Sequence, residues 1–302
     1  MTMNLPESVS NLRAKIFKSE NVGLQSAFKE FVGLLKIPCF EGAQVLIEFP
    51  LSRYWISANS DFDIRIYGAK KQAPVRDHLS STSLKYHLLR NTKVDVVDEI
   101  NLANSRQIGK IEHGLFLKIT GGKFVRTEHP YDLLPTKISS EVSDFITAAR
   151  DSVEILDDET IPTLARIDAI HDLILAACLE GRLGLLKPKW RARAATDLGY
   201  DELPKKIDTL AKNLSWCPQT VANLKQTLSQ LESKNRDVRW ARWYALDCLD
   251  DYDLALEKGE AVTALLCLSD AVKHSVACLE SNFNYNCLGD SVRRLNIEVK
   301  DR

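Results

Sequence analysis

The stretch that decides the fold is SDFDIRIY, residues 60–67. Apolar residues at 62, 64 and 66 alternate with charged residues at 61, 63 and 65, which is the period of a strand buried on one face. Asp61 and Asp63 should therefore project from the opposite face, with their Cβ atoms about 6.5–7 Å apart. Two carboxylates at this spacing can bind one or two divalent cations, and oxygen ligands suit Mg²⁺, which also binds substrate phosphates.

A third carboxylate is expected on a neighbouring strand. The run KVDVV, residues 93–97, predicts a strand that carries Asp95 between two valines. Three converging carboxylates would complete a two-metal site for phosphoryl transfer. Between this strand and residues 61–67, a polar stretch from about 76 to 90 has a helical pattern.

The segments around these two strands predict a small mixed α/β domain. Residues 22–37 have apolar side chains at helical spacing and end at Pro38, and residues 44–49 (QVLIEF) form a short β-prone run. Residues 114–127 predict a hairpin with Gly121 and Gly122 at its turn, since glycine tolerates positive φ.

The second half of the chain predicts only helices. The strand signal stops at about residue 139, and apolar residues at helical spacing suggest consecutive antiparallel helices. The predicted helices cover roughly 139–156, 160–183, 202–214, 219–233, 237–257 and 260–281. We therefore predict an α+β chain: a small mixed-sheet α/β domain at 1–137 and an all-α helical bundle at 138–302.

The first domain resembles the polymerase-β-like minimal nucleotidyltransferase superfamily, in particular bacterial members with a C-terminal helical bundle. The resemblance consists of an upstream serine, the Asp61-Phe-Asp63 strand, a helix, the VDVVD run at 94–98, and a helix-then-Gly-strand in residues 104–117. It spans residues 20–130 in order. It implies that Asp61, Asp63 and Asp95 are the catalytic and metal-binding residues, and that three residues bind the nucleotide: Ser52, Arg53 and Ser60.

The resemblance implies Mg²⁺-dependent transfer of a nucleoside monophosphate. The expected donor is ATP or another nucleoside triphosphate, with AMP as the transferred group. The acceptor would be a hydroxyl of a protein, an RNA or a small molecule. The sequence departs from the family at residues 49–53 (FPLSR), where Leu51 stands in place of the glycine of a Gly-Ser turn. The alternative is a catalytically degenerate module with a binding or regulatory role, of the toxin–antitoxin or defence type.

Another alternative comes from the helical half. Arg166 and His171 fit the R-x4-6-H pattern of HEPN ribonucleases, in which the arginine stabilises phosphate and the histidine acts in acid–base cleavage of RNA. This reading requires both side chains to face one solvent-accessible groove.

Two segments of the helical half combine basic and aromatic residues. The first, residues 186–200, has lysines and arginines around Trp190, and the second has three arginines and two tryptophans within residues 236–243. Each could hold RNA by stacking a base on tryptophan. For residues 186–200 we favour instead a solvated helix start anchored by a buried Trp190, and for residues 236–243 we favour packing at the edge of the core.

Composition excludes several classes of protein. The 302 residues carry 40 basic and 41 acidic side chains, for a net charge of −1, which excludes a globally basic nucleic-acid coat. The N-terminus has no apolar signal-peptide core, and no window approaches 18 uninterrupted apolar residues, so no membrane segment is expected. The seven cysteines include no CxxC pair, which argues against zinc. These features predict a reduced, cytoplasmic protein with buried Cys248, Cys267 and Cys278.

Overall fold

The computed structural model describes residues 5–19, 21–53, 56, 60–69, 84–89, 98–128, 134–280 and 287–301. The protein is mixed α+β and divides into two compact units. The first unit comprises residues 1–142 together with 182–184, and the second comprises 143–181 and 185–302. The short return of residues 182–184 to the first unit was not anticipated from sequence, where a single boundary stands at 137–138.

The first unit contains a five-stranded sheet in the order β3-β2-β1-β4-β5. Strands β2 and β3 are parallel, and the other neighbours are antiparallel. Its elements are α1 (Glu7–Lys18), α2 (Val22–Gly33), β1 (Gln44–Ile47), β2 (Phe62–Tyr67), β3 (Leu84–Leu89), α3 (Leu102–Glu112), β4 (Leu115–Thr120) and β5 (Lys123–Arg126).

The main core of this unit lies between one face of the sheet and the first two helices. Phe31 of α2 stacks on Phe124 of β5, with ring centroids 4.5 Å apart, and also contacts Phe62 of β2. Phe62, Ile64 and Ile66 are all buried in this core, as the alternation in β2 predicts. The opposite face of the sheet carries a smaller cluster that includes Ile111 of α3.

The predicted helix at 76–90 is wrong where the structure describes it. Residues 84–89 form strand β3, which pairs with β2 over its whole length, from Phe62 opposite Leu84 to Tyr67 opposite Leu89. Residues 84–89 (LKYHLL) are a short segment, and a segment of six residues is too short to distinguish a strand from a helix by pattern. Here the pairing partner decides, because β2 offers an edge with unpaired backbone groups. The predicted strand at 93–97 lies outside the described residues.

A close backbone approach fixes α3 against residues 182–184. A Cβ on Gly109 would stand 2.2 Å from the Leu183 carbonyl oxygen, and a Cβ on Gly184 would stand 2.3 Å from that of Ser105. Arg182 reinforces the contact, since its Nε donates to both carboxylate oxygens of Glu112 at 2.7 and 2.8 Å. This packing requires glycine, since any side chain would collide with backbone.

The second unit is built mainly from helices. Its elements are α4 (Ser140–Asp151, which begins in the first unit), α5 (Thr163–Glu180), α6 (Pro188–Asp197), α7 (Glu202–Lys212), β6 (Leu214–Trp216), α8 (Pro218–Gln230), α9 (Arg236–Glu257), α10 (Ala261–Leu279), α11 (Leu288–Arg294) and β7 (Val299–Asp301). Strands β6 and β7 form an antiparallel pair. The expectation of helices alone beyond residue 139 is therefore wrong, because these three-residue strands are too short to show a period.

Helix α10 is the central helix of this unit. Among the described residues it alone is long and apolar enough to cross a membrane, and 72% of it is buried within the protein. Such burial is typical of a core helix. Cys267 and Cys278 of α10 and Cys248 of α9 are buried, as predicted.

Candidate functional site

The two predicted carboxylates lie at the start of β2, with Asp61 directly before the strand and Asp63 within it. Phe62 and Ile64 are fully buried, whereas the Asp61 and Asp63 side chains are 38% and 31% exposed. The pleat of the strand causes this difference, since successive side chains point to opposite faces. Both carboxylates are therefore accessible from the same side of the sheet.

A lysine lies beside each of these carboxylates. The Lys85 amino group pairs with Asp61 Oδ2, and Lys110 Nζ of α3 lies 3.6 Å from Asp63 Oδ2. These pairs are partly exposed, so each contributes little to stability. Their main effect is electrostatic, because the two ammonium groups offset the repulsion between the Asp61 and Asp63 carboxylates.

Glu48 connects these charges to the interior of the first unit. Its buried carboxylate accepts from Arg65 Nε at 2.6 Å and from Lys110 Nζ at 2.6 Å. Burial alone would raise the pKa of Glu48, but the charges and hydrogen bonds of Lys110 and Arg65 outweigh it and lower that pKa. Sequence reasoning missed Glu48, although an acidic residue at the end of the apolar run QVLIEF was a visible signal.

The turn at residues 51–53 forms a single 3₁₀ turn. Ser52 N donates to the Glu48 carbonyl oxygen at 3.2 Å, and Arg53 N donates to that of Pro50 at 3.0 Å. The Ser52 hydroxyl donates to the His113 carbonyl oxygen at 2.6 Å, and an Arg53 terminal nitrogen lies 2.8 Å from His113 Nδ1. The Arg53 side chain remains exposed, so it is the group of this turn best able to meet an anion.

Leu51 of this turn and Ser60, which precedes β2, are both buried. Leu51 packs into the main core, so its side chain does not occupy the outer side of the turn. Ser60 is buried before β2, and its carbonyl oxygen accepts from Asn21 Nδ2 at 3.3 Å.

The predicted third carboxylate, Asp95, lies outside the described residues. Within the described part of the chain, no group of three or more His, Cys, Asp and Glu side chains is placed to hold a metal ion. Asp61 and Asp63 nevertheless fit the needs of Mg²⁺ by their chemistry, because this ion is commonly held by one or two carboxylates together with waters and substrate phosphates.

Arg166 and His171 do not have the arrangement that the HEPN interpretation requires. His171 is only 3% exposed, and its Nε2 lies beside the Arg191 guanidinium and 3.1 Å from Asp270 Oδ1. Arg166 Nε donates to the Leu156 carbonyl oxygen at 2.9 Å. The histidine is part of a buried ion network and does not face an open groove, so the HEPN interpretation is wrong.

The tryptophans of the two basic–aromatic segments differ in how far they are exposed to solvent. Trp190 is buried, as predicted, but Arg191 is buried as well, so the expectation of a solvated helix start at residues 186–200 is wrong. Trp240 and Trp243 of α9 are 52% and 53% exposed, and the Trp240 ring stacks on the buried Tyr244, so residues 236–243 lie at the edge of the core, as predicted, with both tryptophans open to solvent. A side-chain pattern at helical spacing cannot tell which face of a helix the rest of the unit covers.

Comparisons of the chain with protein-family models, curated proteins and solved structures found no match.

Proposed function

We propose that the first unit is a Mg²⁺-dependent nucleotidyltransferase that transfers a nucleoside monophosphate, AMP from ATP, to a hydroxyl acceptor. The observation that carries the proposal is the placement of Asp61 and Asp63. Asp63 lies on β2 and Asp61 directly precedes this strand, two residues away, and both side chains are partly exposed. Two oxygen ligands in this position suit a magnesium–triphosphate complex.

The side chains have distinct roles in this proposal. Asp61 and Asp63 would hold the metal, and Asp95 would complete the site. Mg²⁺, when bound, would neutralise charge on the reacting phosphates and so lower the barrier to attack by a hydroxyl. Arg53 would contact the outer phosphates through its exposed guanidinium, while the Ser52 hydroxyl supports the turn from beneath through the His113 carbonyl.

Binding of a metal at this site would have to displace the two lysines that pair with Asp61 and Asp63. The ammonium groups of Lys85 and Lys110 lie where they neutralise the two aspartates. A divalent cation would compete with them for the same oxygens. Lys110 would keep its bond to Glu48, 2.6 Å away, and so remain close to the bound phosphates as an additional positive charge.

One observation favours a second function, a binding or regulatory module without transfer activity. Both backbone N–H groups of the Ser52-Arg53 turn donate to carbonyl oxygens of the preceding residues. They are therefore not directed at a ligand, whereas phosphate-binding turns commonly present such groups to the phosphate. A module of this kind would bind nucleotide through its side chains without positioning it for attack.

The first experiment is ATP binding by calorimetry, with and without Mg²⁺. The wild type should bind only with the metal. The double variant Asp61→Asn/Asp63→Asn should abolish binding, since both substitutions remove charge while keeping the shape of the side chain. Glu128→Gln is the matched control, because it removes one exposed carboxylate of the same unit. Binding that persists unchanged in the double variant would refute the site.

The second experiment separates transfer from binding. ATP labelled at the α-phosphate is incubated with candidate acceptors and Mg²⁺, and both label incorporation and pyrophosphate release are measured. Transfer lost in Asp61→Asn/Asp63→Asn supports the enzyme. Metal-dependent binding without pyrophosphate release against any acceptor supports the module, and absence of binding in the wild type contradicts both.

A further inference from the structure

The helical unit exposes an aromatic surface at the start of α9. Trp240 and Trp243 are both about half exposed, and they lie one helical turn apart on the same face. Most large aromatic side chains bury their rings, and exposed tryptophan is a frequent mark of a binding site. We call the surface formed by Arg236, Arg239, Trp240 and Trp243 the α9 platform.

The platform is anchored in the core of the unit. The Trp240 ring stacks on the Tyr244 ring, with centroids 5.3 Å apart and planes 17° apart. Tyr244 is buried, its hydroxyl donates to Asp270 Oδ2 at 3.1 Å, and its ring meets His274 edge-on at 4.5 Å. Trp240 is thus the outer layer of a fixed aromatic stack, and a further flat ring could extend that stack at little cost in side-chain entropy.

Charge around the platform favours an anionic ligand. Residues 232–243 contain four basic and two acidic side chains, and the first turn of α9 adds the positive end of the helix dipole. Arg236 and Arg239 are exposed beside the tryptophans, whereas Arg242 is committed to the carbonyl oxygens of Leu228 and Ser229. A ligand with flat rings and regularly spaced negative charges matches this surface.

We propose that the α9 platform binds single-stranded nucleic acid, with a base stacked on Trp240 and phosphates contacted by Arg236 and Arg239. Single strands are bound in this way because exposed bases stack on aromatic rings while basic side chains follow the backbone. The proposal does not depend on the function proposed for the first unit, since every residue that carries it belongs to the second unit.

The test is binding of a fluorescein-labelled twelve-residue oligoadenylate, followed by anisotropy in low salt without nucleotide or Mg²⁺. Trp240→Ala should weaken binding about tenfold, and Trp240→Phe should retain most of the affinity. Arg236→Gln/Arg239→Gln should reduce the slope of log K against log salt by about 1.4. Lys205→Gln/Lys212→Gln removes two exposed charges from α7 and is the control. It should leave both the affinity for the oligonucleotide and the salt slope nearly unchanged.

Competitors decide between stacking and simple attraction of charge. Polyphosphate of similar length and a twelve-base-pair duplex should compete poorly, because neither presents unstacked bases. Equal competition by polyphosphate, unchanged affinity of Trp240→Ala, or no binding by the wild type would each overturn the proposal, and the last result would point to a protein partner instead. Asp61→Asn/Asp63→Asn should bind the oligonucleotide normally, so failure here is distinguishable from failure of the first unit.

Discussion

Replacing Asp270 by asparagine tests the buried ion network that joins α6 to α10. Arg191 donates to both Asp270 oxygens at 2.9 Å, and Tyr244 adds a hydrogen bond at 3.1 Å. Arg191 also donates from Nε to the Leu186 carbonyl oxygen at 2.8 Å. Both charged side chains are buried, so asparagine leaves a guanidinium without a counter-charge and away from water.

The expected loss is about 3–5 kcal/mol of unfolding free energy in the second unit, the usual effect of breaking a buried pair. Arg191→Met/Asp270→Leu should lose less than Asp270→Asn, because it removes both charges and fills the space with apolar atoms. This order of the two variants is the sharper part of the prediction, since a loss of packing alone would make the double variant the worse one.

The network also predicts a pH dependence. Burial alone would raise the pKa of Asp270, but the charges and hydrogen bonds of Arg191 and His171 outweigh it and hold that pKa well below its ordinary value. The carboxylate therefore stabilises the fold above its unfolded pKa of about 3.9, and this contribution is lost as the pH falls through the folded pKa. The difference in unfolding free energy between wild type and Asp270→Asn should therefore shrink as the pH falls below about 4.

Hydrogen exchange by mass spectrometry is the suitable assay, because it reports each unit separately. Peptides from 188–197 and 261–279 should lose protection in Asp270→Asn, while peptides from 115–126 of the first unit serve as the internal control. A loss below about 1 kcal/mol, or a double variant less stable than Asp270→Asn, would refute the argument from the unpaired buried charge.

Three further predictions concern other parts of the chain. Glu48→Gln should destabilise the first unit by about 2–3 kcal/mol, because it removes the counter-charge of Arg65 and Lys110, and exchange of the sheet amides will show it. Gly109→Ala should cost about 2 kcal/mol or more in urea unfolding, because its Cβ meets backbone, whereas Gly33→Ala, with open space, should be neutral or stabilising. Native thiol labelling should modify only the partly exposed cysteines; burial raises the pKa of Cys178 to about 12, and labelling of a buried thiol would contradict this packing. The partly exposed cysteines are Cys39, Cys217 and Cys287.

Local patterns in the sequence predicted much of the first unit. The helix from Val22, the strand that contains Asp63 and begins directly after Asp61, and the hairpin at Gly121-Gly122 are all present. Each is encoded by neighbouring residues: apolar spacing in the helix, alternation in the strand, and two glycines at positive φ in the turn. The pairing of the two aspartates on one face follows from the strand period alone.

Partners distant in sequence decided the rest. Residues 84–89 became a strand because β2 lay beside them, and Glu48 gained its role from Lys110, 62 residues further along the chain. Arg191 stands in a segment that looks like a solvated basic helix, yet Asp270 lies opposite and buries it.

Two tryptophans show most clearly what the sequence determines and what the tertiary structure decides. The sequence by itself determined that Trp190 and Trp240 each lie among basic residues. Only the tertiary structure buried the first and exposed the second. A helical period specifies which side chains share a face, whereas the packing of other elements specifies which face meets water.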